Sequence, residues 1–144
     1  IDNKISYIIF EEPDWQTNYP RSEKSIPFDF IYVIVLILRK IISKIVSNKI
    51  KIKWPNDLLC EKKKICGILQ ELVTYNQKNY LVIGIGLNTN IAPKNKSFSS
   101  TSLKNIMKKS VENKKVLKKI KIKYEKFIIE IRKISYKELK RKYK

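Results

Sequence analysis

The stretch KIKIKWPNDLLCEKKKICGILQE, Lys49 to Glu71, restricts the fold more than any other part of the chain. Its opening residues alternate, with Ile50, Ile52 and Trp54 on one side and Lys49, Lys51 and Lys53 on the other. Successive side chains of a strand point to opposite faces, so this pattern predicts a half-buried strand. Pro55-Asn56-Asp57 is turn chemistry and ends it. Leu58 to Cys60 and Lys64 to Val73 then predict a hairpin about Glu61-Lys62-Lys63, and Thr74 to Asn79 a second turn. YLVIGIGLN, Tyr80 to Asn88, is an almost continuous apolar run and predicts a strand buried on both faces.

The flanks supply helices to cover such a sheet. NKISYIIF, Asn3 to Phe10, predicts one more strand, and the polar stretch Glu11 to Ser25, with Pro13 and Pro20, a loop. Pro27 suits the first turn of a helix, with Asp29 near its positive end. The apolar run from Phe30 to Leu38 is too short for a membrane span, which needs about 20 residues. With Ile41, Ile42 and Ile45 it continues at helical spacing, which predicts a central helix, although its β-branched content leaves a strand as the alternative. Pro93 to Ser100 reads as a polar loop, and Thr101 or Ser102 as the cap of a short helix. From Asn113 to Lys133, an amphipathic helix is predicted by Leu117, Ile120, Tyr124, Phe127, Ile128 and Ile131.

Composition narrows the chemistry. The 144 residues suit one domain, and Ile1 in place of a methionine is expected of a piece of a longer chain. With no histidine, Ser-His-Asp and Cys-His machinery is excluded, and Cys60 and Cys66 by themselves cannot complete a zinc site. They read as reduced thiols of a cytoplasmic protein, one of them on a buried strand face. The net charge of +19 invites a nucleic-acid reading. The lysines, however, are spread along the chain beside isoleucine and asparagine, a pattern that codon bias also produces. A diffuse basic surface is expected, with nucleic acid not the main partner.

Lys53, Asp57 and Lys64 gather near the end of a strand, where α/β sites commonly hold their reacting groups. A carboxylate there can hold Mg²⁺ against a nucleotide phosphate, and lysine is a compact charge for phosphate or carboxylate oxygens. Nucleotidyl transfer asks for this set, since its catalysis is mostly positioning and charge neutralisation. The plainer alternative is a hairpin with a solvated lysine turn. The chain's three glycines, Gly67, Gly84 and Gly86, lie in the same region. Glycine in a strand marks close approach by a ligand or by another backbone. GIGLN lacks the third glycine and the following helix of a dinucleotide fingerprint.

KWPNDLLCEKKKICGILQE, followed by VIGIGLNTN and STSL, resembles the catalytic domain of biotin protein ligases in order and spacing from Lys53 to Asn90. The resemblance implies an α+β fold, a mixed, largely antiparallel sheet backed by helices, of the biotin–lipoate ligase and class II aminoacyl-tRNA synthetase type. It implies ATP-dependent formation of biotinyl-5′-AMP, then transfer of biotin to a lysine of a biotin carboxyl carrier protein or domain, with ATP and Mg²⁺ required. Lys64 matches the lysine that contacts the biotin carboxylate and the adenylate phosphate. Asp57 matches the acidic residue near the metal and the reacting carboxylate. Lys53 and Asn56 would line the nucleotide phosphates, Asn88 would read the adenine edge, and Trp54 would pack beneath the turn. Gly67, Gly84 and Gly86 would let the ligand lie close to the sheet.

Cys66 departs from the family's usual alanine. The Gly-Arg-Gly-Arg loop that covers the adenylate has no counterpart in residues 1–25, and no C-terminal β-barrel follows. Residues 1–144 are therefore expected to be a partial catalytic domain, incomplete at the N-terminus, with little turnover alone. Lipoate–protein ligase, which shares the fold, is the second enzyme reading, disfavoured by Trp54-Pro55 and GIGLN. A non-catalytic basic remnant binding acidic partners is the third.

Overall fold

The apolar run after Pro27 is a helix: α1 spans Phe28–Val46. Ile34, Leu38 and Ile42, four residues apart, are fully buried along one side of it. A fully buried isoleucine or leucine contributes about 1.5–3 kcal/mol, enough to override the weak helix propensity of β-branched residues. The computed structural model describes residues 5–11, 28–47 and 49–143. The expected loop over 12–25 and the helix start at Pro27 lie outside the described residues.

Five strands follow from the predicted patterns: β1 (Ile5–Glu11), β2 (Ile50–Lys53), β3 (Asp57–Cys60), β4 (Lys63–Tyr75) and β5 (Lys78–Leu87). They form one sheet in the order β1-β5-β4-β3-β2, with every neighbouring pair antiparallel. The one parallel element among the described residues is an isolated bridge from Lys64 to Ser100. Both hairpin turns are tighter than their sequences suggest. Glu61 and Lys62 (φ 49° and 66°) make one, Asn76 and Gln77 (φ 48° and 62°) the other. Two central residues with positive φ are what a two-residue hairpin requires, and asparagine followed by glycine usually supplies them.

Three more helices follow among the described residues: α2 (Leu103–Met107), α3 (Asn113–Ile131) and α4 (Tyr136–Tyr143). Ser102 caps α2, its hydroxyl accepting from the Asn105 N–H at 3.2 Å. Helix α3 buries Val116, Ile120, Tyr124, Phe127, Ile128 and Ile131. Leu117, expected on that stripe, is 41% exposed, because Val116 takes the place four residues before Ile120. The Tyr124 hydroxyl donates to the Ile34 carbonyl at 2.8 Å, fastening α3 to α1.

Both long helices cover the same face of the sheet. Gln70 of β4 donates to the Ile31 carbonyl of α1, and it shares its face with Cys66 and Ile68. Leu81, Ile83, Ile85 and Leu87 of β5 are buried on that side. On β5's other face Val82 and Gly86 are only half-buried, so burial on both sides is confined to the neighbourhood of Gly84. Trp54 lies just past β2 and is 53% exposed. None of the described helices is long and apolar enough to cross a membrane.

Candidate functional site

The face of the sheet that none of the described helices covers is built around a row of facing residues. Lys53 of β2 lies opposite Asp57 of β3, Asp57 opposite Gly67 of β4, and Gly67 opposite Gly86 of β5. Residues directly opposite share a face, so all four sit on the side away from the helices. In the next row of that face Leu69 lies opposite Gly84. Gly67 and Gly86, both half-buried, thus leave a strip of backbone without side chains beside Asp57, while Gly84 in the next row is itself buried.

Lys64 reaches this face through an irregularity. It stands three residues before Gly67, and simple alternation would put it on the helix side. The β3–β4 register shifts between Leu58 and Leu59: Leu58 faces Cys66 but Leu59 faces Lys64, leaving Ile65 as an extra, buried residue. A bulge of this kind re-aims a side chain. The Lys64 ammonium is 2.7 Å from Asp57 Oδ1, with 31% of the Lys64 side chain and 18% of the Asp57 side chain exposed. A Cβ placed on Gly67 would lie 3.5 Å from both of those atoms. Such a half-wet pair contributes no more than about 1 kcal/mol to folding, so its geometry matters more than its stability.

The backbone at Lys64 is clamped by the loop before α2. Lys64 N–H donates to the Ser99 carbonyl, and Thr101 N–H donates to the Lys64 carbonyl, each at 2.9 Å. This places the Phe98 ring 5.3 Å from the Lys64 ammonium, within cation–π range. Asn88 sits at the same junction, where its side-chain amide donates to the carbonyls of Thr101 at 3.0 Å and of Lys64 at 3.4 Å. Asn90 makes a similar bracket, exchanging 2.8 Å bonds with both backbone groups of Val111. The Asn56 carbonyl accepts from the Ile68 N–H at 2.9 Å and holds the turn against β4.

Lys53, Asp57, Lys64, Gly67, Gly84 and Gly86 therefore share one face. Asn88 meets them at the backbone of Lys64, with its amide directed to carbonyls of the protein. Phe98, Thr101 and Asn90 were not singled out for site roles by sequence reasoning. An isolated large aromatic in a polar loop was the available signal for Phe98. On the far side of the sheet the Cys66 thiol is pushed far up by burial, then by the Asp57 charge, with Lys64 opposing. Both cysteines are free and buried. Among the described residues no group of three or more acidic, cysteine or histidine side chains converges to hold a metal. Asp57 fits Mg²⁺ as a single carboxylate ligand, the way this ion is held when nucleotide phosphates and water complete its shell.

Comparison with known proteins gives a consistent result. Residues 4–88 match the biotin/lipoate A/B protein ligase family. The bifunctional ligase/repressor BirA of Escherichia coli (strain K12) is 37% identical over 57 residues, 39% of this chain and 18% of that protein. A biotin–[acetyl-CoA-carboxylase] ligase of Mycobacterium tuberculosis is 40% identical over 52 residues, 36% of this chain and 18% of that protein. The solved structure of biotin protein ligase from Aquifex aeolicus in complex with biotin and ATP is similar at a TM-score of 0.69 and 25% identity, covering 95% of this chain and 55% of that one. The chain thus aligns with under a fifth of the length of these curated relatives and with about half of that structure.

Proposed function

We propose, for a chain that belongs to the biotin/lipoate A/B protein ligase family, that its uncovered sheet face activates biotin with ATP for transfer to a carrier-protein lysine. The observation that carries this reading is the Asp57–Lys64 pair, 2.7 Å apart, beside a floor of glycine backbone. A flat ligand can lie against that floor, because no side chain stands on Gly67 or Gly86. In the first step a carboxylate oxygen of biotin attacks the α-phosphorus of ATP. Pyrophosphate leaves with the electrons of the broken P–O bond. Negative charge grows on the phosphoryl oxygens as this happens.

Lys64 has the right charge and position to meet it. Without ligand its ammonium is held by Asp57, so it is aimed before substrate arrives and little reorganisation is needed. Asp57 orients Lys64, and it can offer a carboxylate oxygen to Mg²⁺, which when bound neutralises phosphate charge. Lys53, exposed on the same face, attracts the polyphosphate. In the second step the amine of a carrier lysine attacks the acyl carbon and AMP leaves. The Mycobacterium tuberculosis relative is named for an acetyl-CoA carboxylase, and a carrier domain of such a carboxylase is the corresponding substrate here.

Biotin is favoured over lipoate because the Mycobacterium tuberculosis relative and the Aquifex aeolicus structure are both named as biotin ligases, and because the Trp54-Pro55 and GIGLN segments resemble the biotin ligase pattern. Pyrophosphate release from ATP tests this, measured on the protein that carries this segment, with biotin or lipoate as the acid. Release dependent on biotin supports the reading. Release dependent on lipoate, or on neither acid, refutes it.

A further inference from the structure

On the helical side of the sheet, opposite the Asp57–Lys64 face, α1, α3 and α4 enclose a groove of about 720 Å³. Ile37, Ile41 and Ile45 of α1 and Ile122 and Phe127 of α3 form its floor. The three isoleucines recur every four residues, a stripe beside that of Ile34, Leu38 and Ile42, at the edge of the core. Ile37 and Ile41 are themselves buried, Ile45 is half-buried and Ile122 is 39% exposed, so the accessible apolar part of the groove is the strip from Ile45 to Ile122. Lys40, Lys44, Lys119, Lys123 and Lys126 stand around the floor. Among the described residues the lining holds six lysines and one carboxylate, Glu130, which is bonded to Lys142.

We infer that this groove is a docking site for an acidic amphipathic helix of a partner protein. A channel between two helices accepts a third whose apolar residues recur at i, i+3, i+4 and i+7. Aspartate and glutamate on both flanks of that apolar strip then meet the lysine rim. Charge complementarity decides the sign of the partner, and the isoleucine floor decides its apolar face. Nucleic acid fits less well. Single strands are held by bases stacked on exposed aromatic rings, and Phe127, the groove's aromatic, is only 3% exposed. A bilayer fits less well too, because a membrane-binding helix presents a convex apolar face. The groove and the ligase site lie on opposite sides of the sheet, so both can be occupied together.

The test is fluorescence anisotropy with a labelled synthetic helix of about 18 residues, leucines at helical spacing and glutamates on both flanks. Saturable binding is expected, and it should weaken steeply as salt rises from about 0.05 to 0.5 M. Lys40→Gln with Lys44→Gln and Lys123→Gln should weaken it by about tenfold or more. Lys104→Gln with Lys114→Gln and Lys118→Gln removes equal charge outside the groove and should change it less than about threefold. Ile122→Asp, at a 39% exposed position, should also weaken it about tenfold. Circular dichroism establishes that each variant is folded. Equal loss in both lysine triples, or equal binding of a scrambled peptide, would show diffuse attraction and overturn the proposal. So would a single-stranded oligonucleotide that occupies the groove where the peptide does not.

Discussion

Replacing Gly67 by alanine should separate stability from activity, because the two depend on that position in opposite ways. No glycine of the chain has positive φ, so alanine meets no backbone strain at position 67. The nearest atoms to the added methyl would be Lys64 Cε at 3.4 Å and Asp57 Oδ1 and Lys64 Nζ at 3.5 Å, ordinary contact with the end of a flexible side chain. Removing glycine freedom from the unfolded chain is worth about 0.4–1 kcal/mol, so the variant should melt about 1–4 °C higher. The same methyl occupies the surface on which the proposed ligand lies, and a displacement of about 1 Å at a reacting centre costs on the order of 10²-fold. Thermal unfolding and biotin-dependent pyrophosphate release measure the two effects on one preparation. Full activity in a folded Gly67→Ala protein would refute the glycine floor. A melting temperature lowered by several degrees would refute the local packing.

Other consequences follow from single contacts. Gln77→Gly converts the second hairpin turn to Asn-Gly and removes a side chain from φ 62°, so urea unfolding should show a gain of about 1 kcal/mol. Native Cys60 and Cys66 should be silent to a thiol reagent such as DTNB at neutral pH and both react after denaturation, because both thiols are buried. The Cys66 thiol and Tyr124 hydroxyl are held above their ordinary values of 9.0 and 10.0, chiefly by burial. The unfolded chain ionises at those ordinary values while the folded chain keeps its protons. This part of the stability is therefore fully present below about pH 9 and falls as pH rises further, by up to about 1.4 kcal/mol per unit for each group. Urea midpoints across that range should fall, and Cys66→Ala should flatten the first part of the decline.

Periodicity made most of the framework legible. The alternation from Lys49 onward located β2, and the spacing of Ile34, Leu38 and Ile42 located α1 against its own β-branched content. The turns were read too long, since Glu61-Lys62 and Asn76-Gln77 lack the glycine that normally announces a two-residue hairpin. Leu117 was read onto the buried stripe because both it and Val116 are apolar, and only packing against α1 and the sheet decides between neighbours. The site's residue types were legible in WPND and GIGLN, and so was the gathering of Lys64 with Lys53 and Asp57, yet the backbone geometry that turns Lys64 onto their face was not. That depends on the bulge at Ile65, which leaves no mark in a pattern of period two. Phe98 was out of reach for a related reason, because its position beside Lys64 depends on a loop-to-strand bridge that no local sequence rule anticipates.

The most direct test of the proposed site compares Lys64→Ala with Lys53→Ala in biotin-dependent pyrophosphate release. Lys64 is aimed at charge that grows in the transition state, so its loss should lower kcat by roughly 10²–10³-fold. Lys53 binds nucleotide in ground and transition states alike, so its loss should raise the apparent KM for ATP and leave kcat nearly unchanged. A Lys64→Ala protein with unimpaired kcat, or equal effects of the two substitutions on kcat, would contradict the account.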